Sequence, residues 1–397
     1  MFEYLVPRPA DAIMALMEAA KADPNPHKID LGVGIYKDDH GATTVMKAVK
    51  EAEKRWLDEE DTKKYVSTVG RADFRDEMSA MVFGADNPVI TEGRLATAQA
   101  AGGSGALRLG AEIIKSAAPD ATVWVSTPTW ANHVPLISSP GLKMEEYPYY
   151  NRETLGVDFE DMLDRLKSKA KAGDVVLLHG CCHNPSGADL SIEQWDIIAE
   201  FMKEKSLLPF IDLAYFGLGQ GMEEDAYGVK KTLSICPEAI VAMSCSKNFG
   251  LYRDRVGMVA VITKDTKTAE IAQSQLSAIQ RKVISMPPDH GAALVAKILS
   301  DAELRKLWVN ELDAMRNRMI DLRRLFSKEL SVQGSEVMAA AVKNQNGMFS
   351  TLPVSKAQAE ALREKHSVYM TNSGRINIAA ATADNIPRLA TAILDVL

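Results

Sequence analysis

The stretch Ser244-Cys245-Ser246-Lys247-Asn248-Phe249-Gly250 sets one lysine behind the apolar run Ala239-Ile240-Val241-Ala242-Met243. A short apolar run closed by a polar turn and a glycine reads as a strand buried on both faces of a parallel sheet. A lysine at the carboxyl end of such a strand, with Arg253 and Arg255 close behind, is exposed to two influences that lower its pKa, burial and neighbouring cations. The neutral amine that results can form a Schiff base with a carbonyl compound. The competing reading is a solvated lysine on a surface loop, and only the rest of the chain decides between them.

Other stretches carry complementary chemistry. Gly102-Gly103-Ser104-Gly105 leads into the periodic segment Ala106 to Ile114, which predicts a flexible loop feeding a helix N-terminus. Free N–H groups and the helix dipole make that a ready anion site, although the pattern is neither G-x-G-x-x-G nor a Walker A motif; a simple turn is the alternative. Gly32 and Gly34 inside the apolar run Ile29 to Tyr36 mark close approach of backbone to something, or a plain strand-edge turn. His179, Cys181, Cys182 and His183 suggest zinc, but ligands so tightly spaced on one strand alternate between its faces and cannot close a tetrahedron. Buried thiols and hydrogen-bonded core histidines are expected there, and no metal. Tyr65 after Lys63-Lys64 reads by itself as a surface tyrosine, and Arg375 after Ser373-Gly374 as an exposed edge-strand arginine.

The elements that must position these residues follow a rhythm. Strand candidates 122–126, 175–181, 208–214, 239–245 and 256–262 are separated in part by helical segments such as 192–205. That alternation predicts an α/β domain with a mostly parallel sheet. Polar residues cluster after the strands, in Thr127 to His133, His179 to Gly187, Asp212 to Tyr215 and at Lys247. Ligands of open α/β sheets bind at the carboxyl ends of strands, so Trp130, Asn184, Asp212, Tyr215 and Lys247 are expected to converge. Helices are predicted over Asp11 to Lys21 and Val45 to Leu57, and a long one over Leu304 to Leu330 that links two domains. Beyond it, strands over Met348 to Leu352, Val368 to Thr371 and Arg375 to Ala380 alternate with helices over Lys356 to Lys365 and Asp384 to Val396, a second, smaller α/β unit. The expected division is an N-terminal arm over 1–10, a small domain of 11–40 with 310–397, and a large domain of 41–309.

The totals are those of a globular chain: 397 residues, 46% hydrophobic, 25% charged, net charge -7. Without a basic block, neither nucleic acid nor an anionic membrane is an expected partner. No apolar run is long enough to span a bilayer, and Met1-Phe2-Glu3-Tyr4 has no signal-peptide character. Four cysteines without a C-x-x-C pair suit a reduced, cytoplasmic protein.

Together, a Schiff-base lysine, an anion cradle, a strand-end aspartate and a tryptophan describe a pyridoxal 5′-phosphate site. The motifs Gly102-Gly103-Ser104-Gly105-Ala106-Leu107, Pro128-Thr129-Trp130-Ala131-Asn132-His133, His179-Gly180-Cys181-Cys182-His183-Asn184-Pro185-Ser186-Gly187, Asp212-Leu213-Ala214-Tyr215, Ser244 to Tyr252, Arg255-Val256-Gly257 and Gly374-Arg375-Ile376-Asn377 span nearly the whole chain. In identity and order they resemble the class I aminotransferases, in particular the aspartate and aromatic-amino-acid group. The resemblance implies the fold type I architecture of pyridoxal-phosphate-dependent transferases and a homodimer with shared active sites. It implies that Lys247 binds the cofactor and moves a proton at the substrate Cα, that Asp212 partners the pyridine nitrogen, and that Tyr215 and Asn184 bond the cofactor's 3′-oxygen. Trp130 would stack on the ring; Gly103, Ser104, Ser244, Arg255 and a second subunit's Tyr65 would hold the phosphate. Arg375 would clamp the substrate α-carboxylate, a neighbouring subunit's Arg281 the side-chain carboxylate, and Gly34 would meet substrate through its backbone.

Departures from the family pattern bear on specificity. Ser104 stands where strict aspartate enzymes have threonine, Met286 where many have asparagine, Phe216 where glutamine is common, and Ser186 where threonine is usual. Ser104 and Met286 favour an enzyme that takes tyrosine and phenylalanine as well as aspartate, with 2-oxoglutarate as acceptor in a ping-pong cycle. The alternatives are a strict aspartate aminotransferase, a lyase or decarboxylase on the same fold, and a cofactor-binding regulatory module, which would need a basic appendage that the chain lacks.

Overall fold

The computed structural model describes residues 2–7 and 12–397. Of the expected arm, residues 2–7 are described, with a 3₁₀ turn at Phe2–Tyr4; Met1 and residues 8–10, like Asp11 at the start of the expected first helix, lie outside the described residues. That helix runs Ala12–Ala22.

Seven strands form the main sheet: β1 (Leu95–Ala101), β2 (Thr122–Thr127), β3 (Lys143–Pro148), β4 (Val175–His179), β5 (Leu208–Leu213), β6 (Ala239–Ser244) and β7 (Val256–Ile262). Their order is β1-β7-β6-β5-β4-β2-β3. All neighbours pair in parallel except β7, which is antiparallel to both β1 and β6. The strands β4, β6 and β7 are buried throughout because helices cover both sheet faces, hence their unbroken apolar runs. β3, at the outer edge, is charged and mostly exposed, which blocks further pairing.

Neither β1 nor β3 was legible as a strand. β1 is Leu-Ala-Thr-Ala-Gln-Ala-Ala, with Thr97 its one β-branched residue and alanine at four positions, because helices Gly102–Ala117 and Thr266–Val283 pack closely on it. The expected loop at 102–105 is absent as well: the helix Gly102–Ala117 starts directly where β1 ends, so Gly103 and Ser104 form its first turn.

The reversed direction of β7 has a consequence for the site. Residues 245–255 become a wide connection between antiparallel neighbours, so Lys247 and Arg255 return to the same sheet end. There β1 also finishes, with Ala101 opposite Val256. Asp212 lies between His179 on β4 and Ala242 on β6.

A 31-residue helix, Ala302–Val332, crosses from one core to the other. Near its start Trp308 stacks on Phe249 at 4.5 Å and donates to the Asn248 carbonyl at 2.8 Å, bracing the turn that carries Lys247. Further along, Leu322, Phe326 and Leu330 join the core of the C-terminal unit. There strand Phe349–Thr351 pairs with Arg375–Asn377, and Ile29–Asp30 with Val368–Tyr369. The expected boundary at 309–310 falls within this continuous helix.

Arg323, on the same helix, is 2% exposed and gathers the carbonyls of Val342, Asn346, Gly347 and Phe349 and the Ser350 hydroxyl, at 2.6–3.3 Å. Burial pulls its pKa down to about 10, which leaves it charged at neutral pH. Arg323→Met would strand these acceptors without water. The expected loss is about 3–5 kcal/mol of unfolding free energy, read from chemical denaturation of the cofactor-free protein; a loss below about 1 kcal/mol would show that the carbonyls find other partners.

Candidate active site

Gly34, Gly103, Ser104, Trp130, Asn184, Asp212, Tyr215, Ser244, Lys247, Arg255 and Arg375 line one cleft of about 250 Å³. A larger cavity, about 700 Å³, lies on the other side of Tyr252, with no lysine in its lining. Of the expected site residues, the chain's own cleft lacks Tyr65 and Arg281. Tyr65 is 92% exposed, and Arg281 extends from the end of helix Thr266–Val283 to the Ser285 hydroxyl at 2.6 Å.

Lys247 sits in the cleft with Nζ 4.7 Å from the centre of the Tyr215 ring. Desolvation pulls its pKa down to about 8; Asp212 opposes that shift and Arg255 adds to it. An amine so placed is available in neutral form near physiological pH.

Behind the cleft runs a hydrogen-bonded chain. The Asn184 N–H reaches His179 Nδ1 at 3.4 Å; His179 Nε2 lies 3.3 Å from the Thr129 hydroxyl; that hydroxyl lies 2.8 Å from His133 Nδ1; and His133 Nε2 lies 2.9 Å from Asp212 Oδ2. Because His179 Nδ1 accepts, its proton belongs on Nε2. The Thr129 hydroxyl then donates to His133, and His133 donates to Asp212. Burial, with His183 and His133 nearby, keeps His179 neutral, far below its ordinary pKa. Burial alone would raise Asp212, but the His133 hydrogen bond and the surrounding histidines and Lys247 more than offset it, and the carboxyl is held below its usual value. A buried aspartate kept ionised and aimed into a cleft suits a protonated nitrogen. His183, held to about 3 by burial, spans the Ser126 and Ser186 hydroxyls.

The histidines therefore turn to hydrogen bonds, and the cysteines turn elsewhere. Among the described residues, the one His/Cys/Asp/Glu grouping with metal-like spacing is Cys181, Cys182 and Asp225. The Asp225 carboxylate already accepts from the N–H groups of Gly217, Gly219 and Gln220. The mutual hydrogen bond and burial push Cys181 well up, and burial pushes Cys182 up to about 11, so neither thiol is poised to ionise.

Among the described residues, two buried side-chain atoms of the cleft have no hydrogen-bond partner. Asn184 Oδ1 is buried and unbonded, while its Nδ2 lies 3.4 Å from the Tyr215 hydroxyl. Arg375 is only 7% exposed, contrary to the edge-strand reading. One of its nitrogens bonds the Gly32 carbonyl at 2.8 Å and its guanidinium lies 4.5 Å over the Phe349 ring, but Nε has no partner. A buried guanidinium with free donors is costly unless an anion completes it. Asn377, two residues on, bonds the carbonyls of Val33 and Ile35, so one strand end fixes the whole Gly32–Ile35 segment. Gly34 is close to the ring of Phe349, which a Cβ there would approach to 2.8 Å.

At the other end no side chain caps helix Gly102–Ala117, and its first-turn N–H groups join Ser104, Ser244 and Arg255. Gly102 has φ +72°, and a Cβ on it would sit 2.6 Å from an Arg255 nitrogen; only glycine admits the arginine there.

Residue-by-residue reading passed over Phe349, Ile13, Leu107, Ser246 and Tyr252, all of which line the cleft. Ser246 and Tyr252 stand inside a recognised motif; Phe349 and Ile13 carry no local signal. Of the specificity departures only Ser104 lines the cleft. Phe216 is buried in the core, Ser186 bonds His183, and Met286 is half-buried outside the lining.

Residues 26–393 match the family model "Aminotransferase class I and II". The chain is 44% identical to the aspartate aminotransferase of Haemophilus influenzae over 397 residues, all of both chains. It is also 44% identical to the aromatic-amino-acid aminotransferase of Paracoccus denitrificans over 396 residues, 100% of each. The structure superposes with a TM-score of 0.97 on the aromatic-amino-acid aminotransferase of Burkholderia pseudomallei covalently bound to pyridoxal phosphate, at 38% identity, covering 100% of this chain and 99% of that one. With its motifs in order, its sheet mostly parallel and its cleft at the strand ends, the chain belongs to the class I and II aminotransferases.

Proposed function

We propose that this pyridoxal-phosphate-dependent aminotransferase moves the amino group of tyrosine, phenylalanine or aspartate to 2-oxoglutarate by a ping-pong sequence. The observation that carries the reading is one cleft holding both a lysine of lowered pKa and a buried arginine with a free donor.

The residues present fit the cofactor. The uncapped helix start with Ser104, Ser244 and Arg255 suits a phosphate, and the glycines at 102 and 103 keep that cradle open. The unpartnered Asn184 carboxamide and the Tyr215 hydroxyl suit a ring oxygen, and the ionised Asp212 suits a ring nitrogen. When bound, pyridoxal phosphate supplies a carbonyl for amine capture and an electron sink at the substrate Cα. The chain supplies the rest. Arg375 takes the α-carboxylate in a charge-assisted contact, which orients the Cα–H bond toward the lysine. Lys247 Nζ would take the proton from the substrate Cα and deliver it to the former carbonyl carbon of the cofactor, the work of a general base with a pKa near the working pH. Asp212, held by the His133–Thr129–His179 chain, keeps its negative charge although it is buried.

Supporting a homodimer are the exposure of Tyr65, and of Phe2, Tyr4, Leu5 and Val6 at 74–84%, apolar surface that a second copy would cover. With Tyr65 and Arg281 contributed across that interface, each cleft gains a phosphate ligand and a second carboxylate clamp. All four cysteines are free and buried, and no described helix is long and apolar enough to cross a membrane, both in keeping with a cytoplasmic enzyme.

Substrate range is tested by a half-reaction. With no oxo acid present, aspartate and phenylalanine are added separately to the cofactor-loaded protein. The expected result is loss of its visible absorbance with one equivalent of oxaloacetate or phenylpyruvate released per site. Release from aspartate alone would leave the strict aspartate reading; release from neither would remove both.

A further inference from the structure

The loop that carries Asn184 is held by a residue outside the cleft. Asp189 is half-buried, and its carboxylate accepts three hydrogen bonds: Oδ1 from the His183 N–H at 2.8 Å, Oδ2 from the Cys182 N–H at 2.9 Å and from the Asn346 side chain at 3.1 Å. Cys182 has φ +52°, the left-handed conformation that brings consecutive N–H groups to face one anion. The residue after His183 is Asn184, whose own N–H bonds His179 and whose carboxamide faces the cleft.

Asn346 belongs to the C-terminal unit and leads into Phe349. Its backbone N–H bonds the Gly187 carbonyl at 2.8 Å, and Thr351 bonds the Pro185 carbonyl at 2.9 Å. Gly187 has φ +73°, and a Cβ there would lie 2.1 Å from the Phe349 carbonyl. The cofactor loop and the segment that sets Phe349 under Arg375 therefore interlock, and among the described residues Asp189 is the one carboxylate bonded to both.

We propose that Asp189 is a positioning residue for the reaction: by gripping the Cys182 and His183 N–H groups and the Asn346 amide, it sets the Asn184 carboxamide and ties it to the segment bearing Phe349. The proposal rests on the reading of Asn184 as a cofactor contact. Neutral replacements of Asp189 keep its size but leave two backbone N–H groups to share one acceptor oxygen, so the loop relaxes.

The test uses Asp189→Asn, Asn184→Ala and the double variant, loaded with pyridoxal phosphate. Its main readout is the pH midpoint of the visible absorbance, which a merely structural residue would not move; cofactor dissociation and thermal unfolding are measured alongside. Asn184→Ala is expected to shift the midpoint, and Asp189→Asn to shift it in the same direction by about half a unit or more. The double variant should shift no further than Asn184→Ala alone, because both changes act through one contact. If Asn184→Ala leaves the midpoint unchanged, the reading of Asn184 fails and takes the proposal with it. If Asn184→Ala shifts the midpoint while Asp189→Asn only lowers the unfolding temperature, or if the two shifts add, the positioning role is wrong. Should Asp189→Asn fail to fold, Asn346→Ala removes one contact of the same carboxylate. It is expected to give a smaller shift in the same direction, and no shift would overturn the proposal.

Discussion

Lys247→Ala removes transamination, by about 10⁴-fold or more in kcat, the upper range for loss of a general base, while leaving the fold intact. The amine sits at the end of β6 behind a turn braced by Trp308, so truncation leaves the phosphate cradle and Arg375 in place. Pyridoxal phosphate is then held without a covalent bond. Borohydride treatment should fix it to the wild-type chain and not to the variant, and gel filtration should strip it from the variant. The pH dependence follows from the lysine's environment. Capture of a carbonyl needs the neutral amine, and burial lowers this pKa from 10.5 to about 8. The rate at which cofactor-free protein takes up pyridoxal phosphate should therefore rise with pH and level off above about pH 8. A rate still climbing steeply between pH 9 and pH 10 would show that Lys247 is solvated and ordinary.

Arg281→Leu is expected to separate the two substrate classes. Loss of a charged partner for a bound carboxylate costs about 2–5 kcal/mol, roughly 30- to 5,000-fold, and should appear in kcat/KM for aspartate. Phenylalanine brings no second carboxylate, so its kcat/KM should change far less. The guanidinium must then swing aside for an aromatic ring, because leaving it buried and unpaired costs several kcal/mol; an equal loss for both substrates would sink that picture. The proposed sharing of sites between two subunits has a sharper check. In the single chain Arg281 stands outside the cleft that holds Lys247, so the two should meet only across subunits. Hybrids of Lys247→Ala and Arg281→Leu chains would then carry one doubly defective site and one intact site. Random reassociation should restore about a quarter of wild-type aspartate activity. No recovery in dimers shown to be hybrid would place both residues in the same site of one chain.

What was legible in the sequence has a physical pattern. Strands buried on both faces announce themselves as apolar runs, so β4, β5, β6 and β7 were found, and with them Asp212 and Lys247 at their ends. β1 was missed because close helix packing selects alanine there, and its Gln99 is polar yet fully buried. That side chain is bonded to the Pro288 carbonyl and the Arg71 N–H. Arg375 looked like an exposed arginine because exposure depends on Phe349 and Gly32, which are distant in sequence. Arg323 and Asp189 gave no signal, since each works mainly on backbone groups, which look alike in every sequence.

The sequence by itself determined the alternating α/β order, the residue types proposed for the cofactor and substrate contacts, and the family through motifs spread along the chain. Those features depend on local periodicity and on which side chain can do which chemistry. Only the tertiary structure decided where those side chains meet. The antiparallel β7 brings Arg255 back beside Lys247, a chain of histidines keeps Asp212 ionised, and Asn346 locks the Asn184 loop to the Arg375 side of the cleft. These depend on burial and on contacts between residues far apart in sequence, and both arise only when the chain is folded.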